Sequence, residues 1–147
     1  MHLHQFFVVT LTSLYLVSEE KNKEHFPTVK KIALREGTTS EMAVGMMLRN
    51  GNLVAVTPGG IGLYSAHWTE GEKRPTYYEV NDNRHGGHTT PVVALFLDEN
   101  KARKCLRARK YRHCDPRWKK QTKEVLDAIG DNHLVFVIEC REEFHVD

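Results

Sequence analysis

Long apolar runs are missing from this sequence. No stretch approaches the roughly 18 uninterrupted apolar residues of a membrane-spanning helix, so no membrane partner is expected. Phe6–Val17 comes nearest, but Thr10, Thr12 and Ser13 interrupt it. No lysine or arginine precedes it and no Ala-x-Ala site follows, which argues for a strand rather than a secretory signal. Cysteine is scarce and odd in number, with Cys105, Cys114 and Cys140 the only three. A secreted disulfide framework uses an even set, so the expectation is reduced thiols in the cytoplasm. Repeats, low-complexity tracts and composition breaks are absent too, which leaves one domain over residues 1–147. Also missing are the zinc-finger, helix-turn-helix and RNP patterns of common nucleic-acid readers.

What remains is ordinary globular material. Hydrophobic residues make up 40% and charged residues 27%, enough to bury a core without staples. Gln5–Ser18 reads as one long strand, or two with a bend, apolar on both faces. Val29–Leu34 follows as a strand or a short helix. Ala43–Leu48 and Leu53–Thr57 flank Arg49-Asn50-Gly51-Asn52, where Asn-Gly suits a tight turn, so a β-hairpin is predicted. Ile61–Ala66 and Tyr77–Val80 read as further strands. Val92–Leu97 is apolar without interruption, as in a strand buried on both faces. Asp98 then stands as the N-cap of a helix whose Ala102, Cys105, Leu106 and Arg109 share one face. Asp115-Pro116 starts a second helix, with Trp118, Val125, Leu126 and Ile129 on one side and Gly130 as its stop. Leu134–Ile138 is a last strand, placed beside Val92–Leu97 because a two-helix connection permits a parallel neighbour. The predicted class is α+β, a mainly antiparallel sheet with two helices from the C-terminal half packed on one face.

The net charge of +2 says little, but its distribution says more. Lys101–Lys120 holds ten cations and one acid, Asp115, while the rest carries eleven basic and eighteen acidic residues, a net −7. A concentrated basic segment can meet phosphates and release their counterions. Arg103, Arg107, Arg109, Lys110, Arg112, Arg117 and Lys120 are the candidate phosphate contacts. Tyr111 among them is a candidate for stacking on bases. The same cations also suit a solvated helix face that balances an acidic body. Trp118, in register with Val125 and Ile129, belongs to the core.

A second candidate is the loop Arg84–Pro91, where His85 and His88 flank two glycines. Histidines there could move protons beside an arginine that neutralises phosphate. A metal would need further ligands from separate loops, such as His67, Asp82, His113 or Cys114, so no metal and no cofactor is assigned. His88-Thr89-Thr90 has the His-x-Thr form that two-histidine phosphoesterases use in pairs, and three residues do not make a family resemblance. A Gly-rich turn is the simpler account. Thr57–Gly62 lacks the lysine and helix of a phosphate loop and reads as a turn. Cys114, near Arg112 and Arg117, has the sequence setting of a lowered pKa, with a noncatalytic thiol as the default.

The leading expectation is a small intracellular binding or regulatory protein whose Lys101–Lys120 segment contacts a polyanion, nucleic acid foremost. One alternative is an enzyme acting on a phosphate-containing or nucleotide substrate through His85 and His88. Another is a structural subunit that offers an edge strand or the basic face to a protein partner.

Overall fold

A computed structural model of the chain describes residues 4–19, 27–39, 42–48, 53–67, 70–71, 76–79, 89–130 and 136–138. β1 (Gln5–Thr10) and β2 (Ser13–Glu19) form an antiparallel pair that reverses on Leu11-Thr12. Thr10 closes the turn, because its Oγ1 accepts from the backbone N–H of Ser13 at 3.1 Å and of Thr12 at 3.4 Å. A hydroxyl standing in for a backbone partner thus breaks the long apolar stretch into two strands. β3 (Pro27–Leu34) continues the meander, and β4 (Met47–Leu48) pairs with it. β8 (Val92–Phe96) adds to the other side of β1, giving the order β4-β3-β2-β1-β8. A second sheet holds β5 (Leu53–Thr57), β6 (Gly60–His67), β7 (Thr76–Glu79) and β9 (Phe136–Ile138) in the order β7-β6-β5-β9. Its β5–β9 pair is parallel and every other pairing is antiparallel.

The class is α+β, mainly antiparallel, with helices α1 (Glu99–Leu106) and α2 (Lys119–Ile129) in the C-terminal half, as the pattern predicts. The packing differs in one respect, since the helices take opposite faces of the first sheet. Successive side chains of β1 alternate, and Phe6, Phe7, Val8 and Val9 are all buried, so both faces need cover. α1 lays Ala102, Cys105 and Leu106 on the side of Phe7, Val9 and Phe96. α2 lays Val125, Leu126 and Ile129 on the side of Phe6 and Val8, where Val54, Val56 and Ile61 of the second sheet join the same core.

Both predicted N-caps are present. Asp98 accepts from the N–H of Asn100 at 2.8 Å. Asp115 caps the 3-10 turn Pro116–Trp118 that leads into α2, and Gly130 ends α2 with φ +54°. Four local expectations give way. Trp118 is only half-buried and packs on the α1 side of the sheet, away from Val125, Leu126 and Ile129, because it stands in the 3-10 turn before α2 begins. β4 pairs with β3 and β5 with β6, so the hairpin predicted across Asn50-Gly51 is replaced by two separate sheets. Residues 49–52 lie outside the described residues, and the reversal seen nearby is Pro58-Gly59, between Thr57 and Gly60. β9 lies beside β5 rather than β8. The outer edge of β8 is already covered: Cys114 N–H donates to Val92 O at 2.9 Å, Asp115 N–H to Val93 O at 3.0 Å, and Leu95 N–H to Thr122 Oγ1 at 3.1 Å. An edge covered in this way offers no ladder to another strand. Finally, α1 stops at Leu106, so Arg109 leaves the apolar stripe and is exposed. Among the described residues, no helix is long and apolar enough to cross a membrane.

Candidate nucleic-acid interface

α1 ends against a buried guanidinium. Arg35 follows directly on β3 and is buried. Its Nη1 donates to Leu106 O, to Cys105 O at 3.5 Å and to Ala108 O at 3.3 Å. Its Nε donates to Leu11 O at 2.9 Å and its Nη2 to Thr10 O at 3.4 Å. The last carbonyls of a helix lack intrahelical partners, and a cation there both binds them and opposes the helix dipole. Burial lowers the Arg35 pKa from the ordinary arginine value, and the group stays charged all the same. The Arg35 Cζ sits 3.5 Å from the centroid of the Tyr111 ring, a cation–π contact that holds Tyr111 in place.

The chain between the two helices is pinned at its far end by Asp115. One carboxylate oxygen accepts from Arg117 N at 3.0 Å and Arg117 Nε at 3.1 Å. The other accepts from Arg112 N at 3.2 Å and Arg117 Nη2 at 2.9 Å. Arg117 Nη2 also donates to Lys110 O, and its guanidinium lies 4.4 Å from the Trp118 ring centroid. Burial pushes the Asp115 carboxyl up, but the hydrogen bonds from Arg117 and from the Arg112 backbone outweigh it, and the pKa falls below the usual carboxylate value.

That shift fixes the sign of a pH effect. A carboxyl that titrates lower when folded contributes fully above its unfolded value, about 4, and loses the contribution as pH falls through the folded value. Asp115→Ala is expected to lower stability by about 1–2 kcal/mol at neutral pH through the lost cap. It should also flatten the loss of stability below about pH 4, since the depressed group is gone. Urea unfolding across pH measures both, and parallel wild-type and variant profiles would refute the assignment.

Two clefts meet at Tyr111. The larger, about 710 Å³, is lined by Arg103, Arg107, Arg109 and Tyr111 from α1 and the segment after it, and by Leu34, Arg35 and Glu36 from the end of β3. The smaller, about 390 Å³, is lined by Lys110, Tyr111, Arg112 and Arg117. Seven of the sequence-predicted contact residues therefore border one continuous surface, while Lys120 stands exposed at the start of α2. They are not equivalent. Arg103 Nε is bonded to Glu99 at 2.9 Å, and Arg117 is committed to Asp115. Arg107, Arg109, Lys110 and Arg112 are exposed and have no carboxylate partner among the described residues. Leu34, Arg35 and Glu36 were not foreseen; they arrive from the far side of the sheet, and no spacing in the sequence joins them to Arg103.

The second candidate is mostly out of view. His85 and His88 lie outside the described residues. Thr89 is tied to β6, because its Oγ1 accepts from Ile61 N at 2.9 Å, and it donates to Thr90 O at 3.0 Å. The sequence holds a second His-x-Thr triplet, His67-Trp68-Thr69. His67 is exposed at the end of β6, and Trp68 and Thr69 lie outside the described residues. Thr57–Gly62 is the β5–β6 reversal, as predicted. Cys114 is buried at a φ of +50°, which suits the noncatalytic reading of its thiol. Burial pushes the Cys105 thiol up to about 12, so it stays neutral within the core. Among the described residues, no cluster of three or more His, Cys, Asp or Glu side chains could hold a metal ion. Compared with protein-family models, curated proteins and solved structures, the chain matches none.

Proposed function

We propose that this protein binds a polyanion, nucleic acid foremost, through the surface formed by residues 103–117. One observation carries the reading: four exposed cations without carboxylate partners among the described residues border two clefts that meet at a fixed aromatic ring. Cations already neutralised within the chain would gain little from phosphate, whereas Arg107, Arg109, Lys110 and Arg112 can exchange their counterions for it. The rest of the chain is acidic, which turns an approaching polyanion toward this surface. A cytoplasmic setting fits this reading, because it keeps thiols such as Cys105 reduced.

The test is binding to labelled single- and double-stranded DNA and RNA over a salt series. Wild type should bind, with affinity falling steeply as salt rises. Reversal of Arg107, Arg109, Lys110 and Arg112 to glutamate should weaken binding by about 100-fold or more and reduce the salt slope by about 3–4. The urea midpoint should hold, since none of these side chains bonds to another described residue. Unchanged binding in that variant removes this surface from the account.

A further inference from the structure

We propose that the larger cleft takes a single unpaired nucleotide, with its phosphate on Arg107 and Arg109 and its base against Leu34 and Tyr111. The inference rests on the polyanion reading and names the part of the polyanion that enters. Shape is the first argument. A recess of about 710 Å³ has the size of a small-molecule site, whereas a duplex is a rod that presents its phosphates on a convex surface. Side chains at the rim can touch a duplex, but only an unpaired nucleotide can go in.

The second argument is the mixed lining. Among the described residues, Leu34 is one of three large apolar side chains left exposed, at 37%, and it lines the cleft with Ala33. Arg107 and Arg109, both exposed, line the same cleft from the segment after α1. A nucleotide is mixed in the same way, a flat ring of low polarity joined to an anion.

Third, the floor is fixed in advance. Arg35 donates to main-chain carbonyls and stacks on Tyr111, so it places positive charge under the cleft without having to move. Preorganised groups lose little freedom on binding. Glu36 is the one acid in the lining. It repels a second phosphate and can accept the amino or imino hydrogens of a base edge, which a cleft for bare phosphate would not need.

The experiment uses the full chain with a labelled single strand of about ten nucleotides and a hairpin duplex of the same composition, at one salt concentration. Nucleoside monophosphates and inorganic phosphate serve as competitors, and direct nucleotide binding is read by calorimetry. The single strand should bind about tenfold more tightly than the duplex, and nucleotides should displace it at concentrations where inorganic phosphate does not. Leu34→Asn should weaken nucleotide and single-strand binding by about threefold to tenfold with an unchanged unfolding midpoint. Equal binding of both strands with no displacement by nucleotides overturns the subsite and leaves the polyanion reading in place. Nucleotide binding by a chain that ignores both strands supports the subsite, with free nucleotide as its source, and overturns the polyanion reading. Inorganic phosphate competing as well as nucleotides do, or an unaffected Leu34→Asn variant, overturns the base half of the site. Binding of neither strand nor nucleotide overturns both proposals.

Discussion

Arg35→Leu should cost about 3–5 kcal/mol in urea unfolding, the largest loss expected from a single substitution among the described residues. Leucine fills much of the space but donates nothing. Thr10 O and Leu11 O at the β1–β2 turn, and Cys105 O, Leu106 O and Ala108 O at the end of α1, would all lose their guanidinium donor. A buried acceptor left without a partner loses about 1–3 kcal/mol, and partial relaxation keeps the total below the simple sum. Arg35→Lys separates charge from geometry. Lysine keeps the cation opposite the helix end but offers one nitrogen in place of a planar fork. It should recover less than half of the loss. Full recovery would mean that charge alone matters here, and a leucine variant within about 1 kcal/mol of wild type would mean that the carbonyls find other donors. Arg35 also positions Tyr111 and the segment after α1, so its substitution should weaken polyanion binding through displaced geometry. For that reason the binding test reverses Arg107, Arg109, Lys110 and Arg112 and leaves Arg35 intact.

Arg35 also marks where the sequence stops being legible. Local chemistry could be read directly. Asp98, Asp115-Pro116 and Gly130 set the helix ends because capping is decided within a few residues. The uninterrupted apolar run Val92–Leu97 was readable as a buried strand, and Val92–Phe96 is buried throughout, while Leu97 just past the strand is exposed. Partner choice was not readable. Asn50-Gly51 favours a reversal, but local turn chemistry does not say that Leu48 will pair with Val29 while Leu53 pairs with Tyr64. The neighbour of β9 was misjudged for a related reason. Three tertiary hydrogen bonds, from Cys114, Asp115 and Leu95, cover the edge of β8, and none leaves a local signature.

The candidate site divides along the same line. Its cations were visible as a run between Lys101 and Lys120, because ten basic residues against one acid is a compositional fact. Which of them can meet a ligand was not visible. Arg117 and Arg112 look alike in the sequence, yet Arg117 is bound to Asp115 while Arg112 offers only its backbone N–H to that carboxylate and keeps its side chain exposed. Arg109 was assigned to the apolar face of a helix that ends three residues earlier, and the early end brings it to the cleft instead. The other part of the lining, Leu34 to Glu36, is about seventy positions away in the chain. It meets Arg107 because β1 pairs with both β2 and β8, which brings the end of β3 and the end of α1 to the same edge of the molecule.

Gly60→Ala should be the second large loss, about 2–5 kcal/mol, and it tests how the two sheets are joined. Gly60 has φ +142°, a conformation that L side chains rarely adopt, and an added Cβ would lie 2.5 Å from Thr89 O. The obstacle is backbone, so no side chain can swing aside to relieve it. The neighbourhood is a latch. Thr89 N donates to Ile61 O at 3.1 Å, Ile61 N donates to Thr89 Oγ1 at 2.9 Å, and Val92 N donates to Pro58 O at 3.1 Å. These bonds tie the β5–β6 turn of the second sheet to the start of β8 in the first. Moving Thr89 by enough to admit a methyl group would stretch at least the first two. Gly59→Ala is the matched control, since its Cβ would come no closer than 3.7 Å to Thr57 Oγ1, and it should change stability by less than about 0.5 kcal/mol. Hydrogen exchange adds a readout specific to the latch. Amide protection at Ile61, Thr89 and Val92 should fall in Gly60→Ala more than at Leu126 in α2, because the break is local to the junction. Equal losses for the two glycine variants, or protection at Ile61 and Val92 that matches wild type, would mean that the sheets are held together by their shared apolar core and not by this turn.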